Sequence, residues 1–225
     1  MTDLVQPKKL VCVFAHPDDE AFGPGGSIIH FAKTCDVRII CVTDGGAGRS
    51  SDPKLADNLA SVRKSEMKES CKILGVKSIT FLDFADGELD NNNYHLVADR
   101  IKIELDKLSP DTLLTINIDG CSGHLDHIAV AMITSYLFEK LSYAKQLLYF
   151  CEKREIKEVL KDSYFVYFPQ GCRGDEVDLV LDVSPYHEAQ VQAMQKHVSQ
   201  KEDCDWILRE FGEHLNTEYF RILQK

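Results

Sequence analysis

Apolar runs separated by amphipathic stretches recur along the chain, and their spacing predicts alternating buried strands and helices. Residues 10–15, LVCVFA, have the length and β-branched content of a strand buried on both faces. Residues 36–43, 77–82, 112–117 and 146–150 repeat that pattern. Between them, residues 27–32 open a helix. Residues 55–74 make a long amphipathic helix with Leu59, Val62, Met67, Cys71 and Leu74 near one face and Gly75 as its cap, and residues 94–108 make a third. Further on, the pattern predicts a charged helix at 152–161, a strand at 164–168, an edge strand at 177–183, helices at 185–195 and 206–211, and a short last strand at 218–223. Strands alternating with helices imply an α/β fold with a Rossmann-like, mostly parallel sheet flanked by helices and right-handed crossovers. No repeat or low-complexity linker interrupts the rhythm, so residues 1–225 read as one domain.

The first strand stops at His16-Pro17-Asp18-Asp19-Glu20. Unpaired charge is too costly to bury, so these side chains belong at the strand's mouth, where ligands bind in open α/β sheets. A charged turn that only solubilises the exit is the plainer alternative. Pro17 weighs against it, because a fixed φ there holds His16 extended under a group of polar side chains. His16 with an acid three residues on can begin a metal site. A second cluster follows a later strand: the 118–123 loop runs into His124-Leu125-Asp126-His127 and then an apolar helix, which puts His124 and His127 one turn apart on one face. Gly23, Gly25 and Gly26 precede the first helix and offer its amides to an anion. They are not a dinucleotide fingerprint, since HPDDE intrudes where that motif begins.

Twenty-six Lys and Arg against 36 Asp and Glu give a net charge of −10, which disfavours nucleic acid and anionic lipid as partners. The eight cysteines form no CxxC pair, which suggests reduced thiols in the cytoplasm. No apolar stretch reaches the ~18 residues of a membrane span, so no membrane anchor is expected. His30 reads as an ordinary packed histidine and Cys121 as a small loop residue. Arg63 and Glu66, one helical turn apart, read from the residues alone as a solvated pair of little energetic worth.

AHPDDE after the first strand, glycines behind it, and SGHxDH after a later strand resemble the PIG-L/LmbE superfamily of zinc-dependent N-deacetylases. Thr43-Asp44-Gly45-Gly46, Arg63-x-x-Glu66 and Lys196-His197-x-Ser199-Gln200 extend the likeness over roughly residues 10–200. The chain carries HLDH where bacterial members usually have HPDH, and its GCSGH approach looks more like the eukaryotic glycolipid-deacetylase branch. The resemblance implies zinc, or another divalent metal, on His16, Asp19 and His127, with Asp18 as general base. It further implies His124 as an imidazolium that stabilises the oxyanion, Asp126 orienting it, and Arg63 and Asp44 contacting substrate. His197, Ser199 and Gln200 are then structural or pocket-rim residues. The activity implied is removal of an N-acetyl group from an N-acetylglucosamine-containing or related N-acylated small molecule. The oligomeric state is open, a homo-oligomer included. A metal-dependent phosphoesterase on the same ligands and a non-catalytic sugar-binding module are the competing readings; no second acid cluster supports a two-metal site, and no base or ligand is lost.

Overall fold

A computed structural model describes residues 4–50, 52–157 and 167–225. The apolar runs become strands β1 (Lys9–Phe14), β2 (Asp36–Thr43), β3 (Ser78–Phe84), β4 (Thr112–Ile116) and β5 (Gln146–Cys151), all parallel to one another. The last third adds β6 (Leu179–Asp182) and β7 (Thr217–Gln224), both antiparallel, giving the seven-stranded order β3-β2-β1-β4-β5-β7-β6. The helices are α1 (Asp19–Phe22), α2 (Gly25–Ala32), α3 (Leu59–Leu74), α4 (Tyr94–Leu108), α5 (Leu125–Lys140), α6 (Arg154–Lys157), α7 (His187–Met194) and α8 (Lys201–Phe211).

β1 shows why two packing faces need a continuous apolar run. Leu10, Cys12 and Phe14 join Ile28 and Phe31 of α2 and Met67, Cys71 and Leu74 of α3 in one core. Val11, Val13 and Ala15 point the other way, into a second core with Val97, Ile101 and Leu105 of α4 and Val130, Ile133 and Leu137 of α5. Gly75 closes α3 at φ +79°, its amide donating to the Cys71 carbonyl, as a left-handed cap requires. Pro53 opens a 3-10 turn (Pro53–Asn58), and the α-helix begins only at Leu59.

Edge strand β6 and final strand β7 stand where the pattern predicts. The residue 164–168 strand does not form over Tyr167 and Phe168, which lie in irregular chain; residues 158–166, including the rest of that strand and the end of the 152–161 helix, lie outside the described residues. The chain runs outward from β1 to β3 and then returns to β4. A crevice therefore opens between the carboxyl ends of β1 and β4, the two strands that carry the histidine motifs.

Candidate active site

His16 follows β1 and His127 sits in the first turn of α5, after β4. Side by side, β1 and β4 bring them together across 111 positions: His16 Nδ1 lies 3.0 Å from His127 Nε2, which is 3.0 Å from Asp19 Oδ1. Each of the three is held by a neighbour that leaves one donor atom facing the others. The second Asp19 oxygen accepts the Ala15 and His16 amides, both at 2.9 Å. His127 Nδ1 donates to the Gly120 carbonyl at 3.1 Å, so Nε2 keeps its lone pair. His16 Nε2 donates to Asp86 at 3.0 Å and Asp126 at 3.2 Å. Tetrahedral zinc with bonds of ~2.0–2.1 Å sets its donors ~3.4 Å apart, so a two-nitrogen, one-oxygen set at these separations fits a small divalent cation. A second group, His16, Asp86, His124 and Asp126, shares His16; the Asp126 oxygens are already taken by the Gly87 and Leu89 amides, at 2.8 and 3.2 Å.

The charges follow from this packing. Burial works against a charged His16, but Asp126 and Asp86 lift its pKa to about 10. Burial would likewise raise Asp19, yet His127 and His16 hold its carboxyl well below the usual carboxylate range. A metal ion held by this group would displace a proton from His16.

Asp18 lies beside these residues at φ 149°, a backbone conformation that costs a non-glycine residue of order 1–3 kcal/mol. Its carbonyl is fixed by the Ala21 and Phe22 amides at 2.9 Å, and its Oδ2 accepts a 2.7 Å bond from Arg63 Nη2. Burial raises the Asp18 pKa against the pull of Arg63. Arg63 touches the cavity but is 4% exposed, and also donates to the Pro17 and Gly45 carbonyls, at 3.0 and 2.8 Å. Its guanidinium is thus largely spent on the HPDD loop. Glu66, one turn further along α3, accepts the Ser199 amide and hydroxyl at 2.8 and 2.6 Å. His197 bonds Glu20 at 2.7 Å with both side chains fully buried. The late motif is therefore a brace behind the loop, and the Arg63–Glu66 spacing reflects two separate partners rather than a surface pair.

Two side chains sit elsewhere than expected. Asp44 is not in the cavity wall: the glycine turn behind it folds its Oδ1 back onto the Gly46 amide at 2.9 Å. Asp126 orients His124 through its backbone, donating its amide to His124 Nδ1 at 3.1 Å, while its carboxylate serves His16. For His124 the packing works against the expected imidazolium. Burial and the neighbouring His16 and His127 lower its pKa to about 4, and an accepting Nδ1 leaves the proton on Nε2. Asp86 is the residue that sequence reasoning passed over. It follows a strand, as His16 does, and that position was the available signal. The anion at the α2 amides is internal: Glu218 of β7 accepts Gly26 and Ser27 at 2.8 and 2.9 Å.

All of the predicted residues except Asp44 and Asp126 line one cavity of about 880 Å³ at the β1–β4 crevice. Fold and donor set together define an α/β domain with a His–Asp–His group that could hold a metal ion. The PIG-L profile, described as GlcNAc-PI de-N-acetylase, matches residues 11–138, and the chain belongs to that family. It is 27% identical to the 1D-myo-inositol 2-acetamido-2-deoxy-alpha-D-glucopyranoside deacetylase of Mycobacteroides abscessus, over 86% of this chain and 81% of that one. It is 30% identical to the diacetylchitobiose deacetylase of Thermococcus kodakarensis, over 90% of this chain and 74% of that one. The N,N'-diacetylchitobiose deacetylase of Pyrococcus horikoshii has the same fold, with a TM-score of 0.72 at 24% identity over 97% of this chain and 84% of that one. Among the described residues no helix is long and apolar enough to cross a membrane.

Proposed function

We propose that the protein is a zinc-dependent N-deacetylase that hydrolyses the acetamide of an N-acetylglucosamine-containing small molecule in the cytoplasm, giving acetate and a free amine. The observation that carries this reading is the convergence of His16, Asp19 and His127 in a cavity that also holds Asp18, a half-buried carboxylate held by Arg63. The donor set leaves a place for water and substrate, and a bound divalent ion would supply Lewis acidity and lower the pKa of water.

The remaining work falls to the chain. Asp18 Oδ2 is engaged by Arg63, so Oδ1 is the oxygen free to take the proton of the attacking water and pass it to the departing amine. A carboxyl with a raised pKa is better matched to that exchange than an ordinary aspartate. His124, neutral and protonated on Nε2, donates to the oxygen that becomes negative as the carbonyl is attacked. Asp126 and Asp86 fix the ring of His16, and Gly120 fixes that of His127. All eight cysteines are free and buried, in keeping with reduced thiols in that compartment.

The test is free-amine release from N-acetylglucosamine conjugates by zinc-loaded and chelator-treated protein. Release that stops on chelation and returns with zinc supports the reading. Phosphate release from sugar phosphates without amine release would replace it with a phosphoesterase.

A further inference from the structure

The cavity has two unlike sides. Toward the β2 loop and the start of α8 it presents Arg49, Gln200 and Asp203, groups suited to sugar hydroxyls. Toward the ends of β4 and β5, with α1, the middle of α8 and the turn before β7, it presents Phe22, Ile116, Cys121, Phe150, Ile207 and Leu215, all part of one continuous apolar cluster. Charged groups on this second side are already satisfied. Lys157 pairs with Glu152 at 2.7 Å, and Glu218 is tied to the Gly26 and Ser27 amides. A polar ligand group set against this apolar cluster would lose water and gain no partner from it, so the cluster favours an apolar occupant.

The apolar side begins at the metal ligands themselves. A Cβ on Gly23 would stand 2.8 Å from the Asp19 carbonyl and 3.7 Å from the Phe150 ring, so that ring backs directly onto the loop carrying Asp19. On the His127 side, Gly120 accepts the ligand's Nδ1–H, and the next residue, Cys121, turns its thiol inward onto the Phe150 carbonyl at 3.5 Å. An amide carbonyl placed among His16, Asp19 and His127 therefore has a polar wall on one side and an apolar wall on the other. The amine portion, a sugar, matches the polar wall. The acyl portion is left facing the apolar one, and a single methyl is too small to cover the half-buried Phe22, Ile207 and Leu215.

Resting on the deacylase reading, we propose that this enzyme's acyl site is an extended apolar arm, so that its preferred substrates carry N-acyl chains longer than acetyl. Each methylene buried in the arm raises kcat/KM roughly fourfold, the equivalent of the transfer free energy of a CH₂ group. The substrate remains an N-acylated amino sugar, and the bond cleaved and the products, a carboxylic acid and a free amine, are unchanged in kind.

The experiment compares kcat/KM of the zinc-loaded protein for glucosamine N-acylated with acetyl, butanoyl, hexanoyl and octanoyl groups, beside the octyl glycoside of N-acetylglucosamine. The expected result is a steady rise from acetyl to hexanoyl and no comparable gain from the octyl aglycone. Leu215→Trp, or Ile207→Trp should the first not fold, is expected to cut the octanoyl-to-acetyl ratio at least tenfold. Acetyl hydrolysis that only weakens as the chain lengthens overturns the acyl arm and leaves the deacetylase intact. A gain from the octyl aglycone without one from the acyl series overturns it by giving the arm to the leaving portion. Hydrolysis of none of the amides removes the deacylase reading and the arm with it.

Discussion

Replacing Arg63 with methionine separates two roles for this residue. If Arg63 is a substrate contact, the change weakens binding and leaves the fold alone. The structure instead has it 4% exposed, donating 2.7, 2.8 and 3.0 Å bonds to Asp18, Gly45 and Pro17. Methionine keeps most of the volume but strands a half-buried carboxylate and two carbonyls. Breaking one partner from a buried pair costs about 3–5 kcal/mol. For a domain of this size that is a fall in Tm of about 6–20 °C. Two further effects follow at the site. Asp18, no longer fixed in its strained conformation, drifts from the reacting atoms, and kcat falls by about 100-fold while KM changes little. Arg63 also opposes the rise in the Asp18 pKa, so its loss raises that pKa further. A base works deprotonated, so the acid limb of kcat/KM moves to higher pH. Calorimetry and a pH–rate profile on the same preparation measure all three. An unchanged Tm and acid limb with a tenfold higher KM would refute the clamp and restore the substrate contact.

Other perturbations give equally specific outcomes. Asp19→Ala should weaken zinc binding at least about 100-fold by titration calorimetry, whereas Asp18→Ala should bind zinc normally and lose amine release. His197→Ala leaves Glu20 buried and unpaired, so urea unfolding should show a loss of about 3–5 kcal/mol with KM unaffected. Burial raises the Glu218 pKa from 4.5 to about 7, so the folded state binds that proton more tightly than the unfolded chain does. Its contribution is present below pH ~4.5 and lost as pH rises through ~7, a decline of about 3 kcal/mol; Glu218→Gln should flatten it in urea midpoints read at pH 5 and 8.

The strands were legible because a doubly buried strand must be apolar throughout, and the ligands because charge at a strand exit has few other places to go. Arg63 and Glu66 misled because helical spacing pairs them locally, while their partners, Asp18 and Ser199, lie 45 and 133 positions away. The same limit hid Asp86, one acid among several after β3, whose approach to His16 depends on strand order rather than local pattern. Strand β7 reads locally as a short terminal strand; nothing in its residues says that it inserts between β5 and β6 and delivers Glu218 to the start of α2. That His124 Nδ1 caps α5 was equally hidden, a geometry that appears only once the loop before α5 is folded.

The cleft is also divided along the chain. Residues matched by the family profile end at 138, after all three metal-coordinating candidates, the base and His124. Phe150, Ile207 and Leu215 come from later segments. Reactivity is thus written in the first stretch of sequence, and half of the apolar wall in the last. A lineage could retune what it cleaves by drift in its last third without disturbing how it cleaves, and a chimera joining residues 1–140 to another member's C-terminal segment should inherit that donor's chain-length preference.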